Sequence, residues 1–302
     1  MQSRFGFSCC PVHPSGYCYD YALCLSLLCL SFQLPSLLLL SVPDRRLSKP
    51  LAIAISCLSI LVALILWQLL ASQGILGKNF PGSLKTLEEL SWWLSDPFFD
   101  NGPNDLGIGT NLLISLRRVL IGYSLAVLVA VPVGLLVGLS QVAESSVNPF
   151  VQLLKPVSPL AWLPIGLFIF RDSELTGIFV IFISSVWPTL INTAFGVSSI
   201  NPDFLKVSRS LGASRFNTVF RVVLPAVMPN ILAGMRISMG TAWLVIVAAE
   251  MLLGSGIGYF IWNEWNNLSL PNIFSAIIVI GFSGLLLDQV FGLLQKRFDY
   301  QA

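Results

Sequence analysis

Six stretches of the chain are almost continuously apolar: residues 51–71, 111–139, 149–170, 175–196, 231–253 and 273–294. A helix rises about 1.5 Å per residue, so about 20 apolar residues cross a hydrocarbon core of about 30 Å. The pattern predicts an all-α polytopic membrane protein with about six spans. Prolines interrupt the third run at Pro156, Pro159 and Pro164, and the fourth at Pro188. A further run, 21–42, is long enough to span but is broken by Pro35.

The polar connections set the order of the spans. Asp44, Arg45, Arg46 and Lys49 form a basic flank before the first span, which places its start on the cytoplasmic side. Residues 72–110 carry Glu88, Glu89, Asp96, Asp100 and Asp105 against Lys78 and Lys85, an acid excess that suits the outer face. Within them, 84–94 with Trp92 and Trp93 predicts an amphipathic interfacial helix. Lys206, Arg209, Arg215, Arg221, Arg236, Lys296 and Arg297 then fall inside. Arg117 and Arg118 do not fit this count; they must snorkel outward or face a polar interior.

Residues 201–229 are a basic island between the fourth and fifth spans. Asn201 suits a helix cap, Pro202 the first helical position, and Asp203 the positive end of the helix dipole. Gly212 suits the left-handed position that closes that helix. Ser214 can cap a second short helix, handed on at Leu224 and Pro225. The prediction is helix, glycine turn, helix on the water side of the membrane. The chain divides into residues 1–43, an extension unlike the rest, 44–110 with the first span and outer loop, and 111–300 as the core containing the island.

Composition agrees with a membrane class. The 302 residues are 55% hydrophobic and 11% charged, where soluble domains carry about 25% charge. Mean hydropathy is +0.80. A net charge of +2 makes no case for nucleic acid. Cys9, Cys10, Cys18, Cys24, Cys29 and Cys57 have no zinc-site spacing, and His13 is the single histidine, so no metal site is expected. Residues 1–43 admit three readings: a signal peptide, an extra membrane helix, or an upstream extension foreign to the natural chain. Arg4 is their one basic residue before Asp44, and 41–43 make a poor cleavage site, so a natural start near 44–49 is expected.

Few residues suggest chemistry. No phosphate-binding GxxxxGK[ST] loop occurs, and Gly74 to Gly77-Lys78-Asn79 has the wrong spacing, so P-loop ATP hydrolysis is excluded for this chain. Gly254-Ser255-Gly256-Ile257-Gly258 follows a membrane span, where a dinucleotide site would need a β-strand. Ser185, Thr189, Asn192 and Thr193 fall on one face of the fourth span. That stripe fits either a pathway wall for a small hydrated solute or hydrogen bonding between helices. Glu250 lies deep in the fifth apolar run. It is expected to be buried and paired, with a backbone amide of the following glycine turn at Gly256 or Gly258 as one partner. Asp288 is within reach of Arg236 across two helices. Gly134 and Gly138 form a GxxxG suited to helix packing. Residues 262–267 are expected to form an aromatic and amide-rich outer loop.

The island resembles the cytoplasmic loop of ABC importer permeases. There a Glu-Ala-Ala start is followed by three residues, Gly, nine residues and Ile-x-Leu-Pro. Here Gly212 is followed by nine residues and Val222, Val223, Leu224 and Pro225, while Lys206, Val207 and Ser208 replace Glu-Ala-Ala. Residues 233–265 resemble permeases of the nitrate, sulfonate, taurine and bicarbonate importers, and WNEWNN, LSLPNI and LLLDQVFGLLQKRF resemble the nitrate branch. The resemblance covers residues 48–300. It implies the type I importer permease fold and a bacterial plasma-membrane location with a cytoplasmic C-terminus. It also implies two permease copies, two ATP-binding subunits that hold ATP and Mg, and a periplasmic or lipid-anchored binding protein. No cofactor is expected on this chain. Lys206, Ser208, Arg209, Gly212, Ala213, Arg215, Leu224 and Pro225 are then the expected coupling residues.

Overall fold

A computed structural model describes residues 49–74, 77, 80–102 and 106–298. The expectations for residues 1–43 lie outside these. The chain divides into two units, 1–61 and 62–302. The division falls within the first described helix, α1 (Lys49–Ser72), and the account below concerns the second unit.

The helices follow the apolar runs, with caps extending most by a few residues. They are α2 (Ser83–Ser95), α3 (Ile108–Leu139), α4 (Gln141–Leu154), α5 (Leu163–Phe170) and α6 (Ser173–Ser198). Then come α7 (Pro202–Ser210), α8 (Arg215–Thr218), α9 (Leu224–Leu253), α10 (Ile257–Asn266) and α11 (Leu270–Phe298). Among the described residues, five helices are long and apolar enough to cross a membrane.

The third apolar run, predicted as a span over 149–170 broken by Pro156, Pro159 and Pro164, breaks sharply. It forms α4, a 3₁₀ turn (Pro159–Trp162) and α5, bent by 90° at the break. Pro156 and Pro159 lack the N–H groups that would continue the ladder, so the chain turns where they stand. Counted as one bent span, this pair brings the number among the described residues to six. The fifth span is longer than predicted. Phe216–Leu253 is one continuous apolar rod of 38 residues, roughly 57 Å at helical rise, and does not stop at Leu224 and Pro225. Residues 262–267 also depart from expectation, since most of them belong to helix α10.

The centre of the bundle is the seam of α3, α6 and α9. Val119, Tyr123, Ile181, Met239, Ala242, Trp243 and Ile246 meet there, all buried. Glycines let α3 and α6 approach: a Cβ at Gly134 would press on Thr193, and one at Gly138 on Val197. The GxxxG pair therefore packs helices within one chain. α11 leans on this core by one edge only. Its apolar window is 6% buried against 44% for the rod that includes α9, so most of α11 is left for lipid or a neighbouring subunit. On the far side α2 docks by Trp93, whose indole N–H donates to Asn272 Oδ1 at 3.2 Å. The Ser275 hydroxyl donates to the Thr86 carbonyl at 3.1 Å.

Candidate functional site

The basic island folds as its punctuation predicts. Asn201 Oδ1 accepts from the Asp203 N–H at 2.9 Å, which caps α7. Gly212 sits at φ +72° and ends the helix, and the Ala213 N–H reaches back to the Ser208 carbonyl at 3.2 Å. That is the Schellman closure that a left-handed glycine permits. Ser214 Oγ accepts from the Asn217 N–H at 3.3 Å and caps α8.

α8 does not hand over at Leu224. It widens into a π turn (Val219–Val223) and runs straight into α9, with the Leu224 N–H bonded to the Val219 carbonyl. Pro225 explains the width. Its ring would collide with the carbonyl of residue 221 in a regular helix, and a π turn relieves that contact. The short hairpin and the long rod are therefore one piece of backbone.

The hairpin presents an apolar cradle. A groove of about 560 Å³ is lined by Phe204, Val207, Leu211, Ala213 and Arg221, among others. Leu211 is 80% exposed at the glycine turn, and on α8 and the turn after it Phe216 and Phe220 meet with ring centroids 4.3 Å apart at a 37° tilt. The predicted coupling residues divide into contact and support. Lys206 is exposed and pairs only locally with Asp203 at 2.9 Å. Ser208 is buried, with its hydroxyl 2.9 Å from that of Thr218, so it fastens α7 to α8 and leaves no group for a partner. Leu224 packs inward against the cluster around Val223 and Val227, whereas Pro225 is exposed. Arg209 and Arg215 lie in α7 and α8, and their side chains fall outside the described residues.

At the opposite end of α9 lies a buried ionic knot. Glu250 is fully buried and meets Arg118 of α3, with Nη1 to Oε1 at 3.0 Å. Its second oxygen accepts from the Ser115 hydroxyl at 2.6 Å and from the Gly258 N–H at 3.2 Å. Ser115 Oγ in turn accepts from the Ile257 N–H at 2.9 Å. Arg118 also donates to the Ser255 carbonyl at 3.0 Å and to its hydroxyl at 2.7 Å. The expected amide partner of Glu250 is thus present, and the awkward arginine pair separates. Arg118 faces the interior, while Arg117 lies exposed and pairs with Glu174.

Two glycines make the knot possible. Gly256 adopts φ +97°, and a Cβ there would fall on the Glu250 carboxylate. At Gly258 a Cβ would strike the Val247 carbonyl oxygen. Further along the rod, Arg236 holds Asp288 of α11 through two bonds, 2.7 and 2.6 Å, which realises the predicted cross-helix pair.

The polar stripe of α6 is mostly internal. Ser185, Thr189 and Thr193 are fully buried, so in this conformation they meet neighbouring helices and no open space. The Ser238 hydroxyl of α9 donates to the Ser185 carbonyl at 2.6 Å, and Thr193 donates to the Thr189 carbonyl at 2.7 Å. Asn192 differs. It is half-buried, donates to the Pro188 carbonyl at 2.8 Å and borders a groove. The α6 face at Asn192 packs closely because Gly234 of α9 has no side chain.

Residues 130–300 match the family of binding-protein-dependent transport system inner membrane components. The chain belongs to that family. The permease is 40% identical over 259 residues to the nitrate import permease protein NrtB of Synechocystis sp., covering 83% of this chain and 94% of that one. It is 42% identical over 239 residues to the bicarbonate transport system permease protein CmpB of Synechococcus elongatus, covering 78% and 86%. The fold of the permease is that of the inward-facing MetNI methionine ABC transporter, at a TM-score of 0.57 and 14% identity, over 63% of this chain and 95% of that one.

Ser115, and the pairing of Arg118 with Glu250, are what sequence reasoning missed at the knot. The signal was the arginine itself, an intramembrane charge without an assigned partner.

Proposed function

We propose that this permease is the membrane subunit of an ATP-driven importer that carries nitrate across a bacterial plasma membrane. The single observation that carries the substrate is the 40% identity to a nitrate import permease along nearly its whole length. The 42% identity to a bicarbonate permease supports a second reading, in which the cargo is bicarbonate. Both are small planar oxyanions. The chain lacks a phosphate-binding loop, so ATP and Mg belong to separate subunits and this chain holds no cofactor.

The α7–α8 hairpin is the docking element for the ATP-binding subunit. Its exposed Leu211 and Phe216 supply an apolar anchor, and Arg221 lines the groove at Leu211. Lys206, Arg209, Gly212, Ala213, Arg215 and Pro225 are the contact region, with Ser208 and Leu224 as its support. This assignment makes the hairpin face and the C-terminus cytoplasmic. Two copies of the chain frame the pathway, and a periplasmic or lipid-anchored binding protein delivers the anion to the outer face. ATP binding draws the two ATP-binding subunits together and shifts the docked hairpins. Because α8 is continuous with α9, the shift travels along a rod that is tied to α6, α11 and α3 in turn. Energy comes from the partner's different affinity for the two conformations.

The test is uptake of labelled nitrate in a strain lacking this subunit, with bicarbonate and taurine as controls. Nitrate uptake that is lost without the gene and restored with it supports the reading. Normal nitrate uptake alongside lost bicarbonate uptake transfers the assignment to the second reading.

A further inference from the structure

The 90° break between α4 and α5 opens a groove of about 370 Å³. Its wall includes Lys155, Ser184, Trp187, Asn192, Ile237 and Thr241. Ser184 stands 11 residues into α6, roughly 17 Å from its start, and Thr241 stands 17 residues into α9, roughly 25 Å from its start. Both are near the middle of their helices, so the groove lies in the apolar zone of the membrane. Lys155 caps the C-terminal end of α4 there, through its N–H to the Val151 carbonyl at 2.9 Å.

Lys155 has an exposed side chain, and no carboxylate among the described residues lies within ion-pair distance of it. No Asp or Glu lines the groove either. This is the reverse of Arg118, which is buried at a carboxylate. An ammonium at such depth is costly unless it faces water or an anion, and anion-conducting pores use Lys or Arg for this purpose. Asn192 stands on the same wall. Its amide carries two N–H groups, and one is taken by the Pro188 carbonyl. A lysine and a free amide N–H on one groove lined by no carboxylate make a weak anion subsite, suited to a small oxyanion that must leave again.

We propose that Lys155, with Asn192 beside it, is the anion-attracting station of the translocation pathway. The assignment rests on the oxyanion reading above. It gives the pathway a cation that the buried stripe of α6 does not supply.

The test uses the full complex of permease, ATP-binding subunit and binding protein, reconstituted in vesicles and supplied with MgATP. Lys155→Gln lowers uptake of labelled nitrate or bicarbonate by about tenfold, while Lys155→Arg stays within about twofold of wild type. Complex yield and the ATPase rate stimulated by the binding protein hold in both. Should Lys155→Gln fail to assemble, Lys155→Cys is read instead, in a background where the six native cysteines are serine. A thiol reagent that adds an ammonium group restores uptake, one that adds a sulfonate does not, and nitrate slows both modifications. A wild-type complex that carries neither anion overturns the oxyanion reading and this assignment together. Wild-type uptake that Lys155→Gln leaves within about twofold, or a Cys variant indifferent to the charge added, overturns the Lys155 assignment alone. That result would make Lys155 a lysine that reaches for lipid headgroups.

Discussion

At the scale of single residues, the Glu250 knot shows how a costly group is tolerated. A carboxylate without water needs partners for both oxygens, and Glu250 has Arg118, Ser115 and the Gly258 amide. Removing one member leaves the other charge buried and alone. Arg118→Met is expected to destabilise the permease by about 3–5 kcal/mol, as is Glu250→Leu, and the double replacement recovers most of the loss. Denaturant unfolding of the purified chain in detergent measures all three. Single variants as stable as wild type would remove the pair from the account. Glu250 was legible in the sequence as a buried acid, because an acid inside an apolar run has few other fates. Its arginine was not, because the two residues stand 132 positions apart and periodicity says nothing about distant partners. The glycine turn was legible in composition, while the reason for Gly256 needs the carboxylate that occupies the place of its missing Cβ.

The decisive element is the hairpin joined to α9. Its caps could be read directly, since Asn201, Pro202, Gly212 and Ser214 each have one favoured place at a helix end. The join could not. Leu224 and Pro225 read as a hand-over between two segments, and the π turn that carries one helix through them leaves no mark in the hydropathy pattern. In the third span the prolines marked the break, while the 90° turn itself could not be read, because hydropathy sums over a window and carries no angle. If the apolar cradle docks the ATP-binding subunit, a charge at its most exposed point must disrupt docking. Leu211→Glu is expected to lower co-purification of the ATP-binding subunit by at least about tenfold while the chain still inserts. Lys206→Glu is expected to keep co-purification, because it restores the acidic residue that the resembled importer loop carries at this contact position and breaks only an exposed pair with Asp203. Quantifying the co-purified subunit for both variants checks this. Equal retention by Leu211→Glu would move the docking surface elsewhere.

For the whole molecule, the apolar runs marked the helices long enough to span, and the permease resemblance pointed to ATP-binding subunits and a solute-binding protein as partners. Neither reveals which polar groups face the interior. Three of the four stripe residues pack between helices, and the groove that carries Lys155 and Asn192 lies at the proline-marked break in the third apolar run. The hairpin and the ionic knot stand at opposite ends of one rod of 38 residues, longer than the hydrocarbon core is thick. Motion imposed at the hairpin is therefore delivered across the membrane through a single continuous helix. The measurement that tests this coupling most directly follows ATP hydrolysis and labelled nitrate uptake together in one reconstituted complex, for wild type and Gly212→Val. A β-branched residue resists the φ of +72° at that turn, although nothing crowds its Cβ. The account predicts MgATP-dependent uptake by wild type and loss of ATP-driven uptake by Gly212→Val, with membrane insertion intact. Uptake by Gly212→Val at the wild-type rate would contradict it.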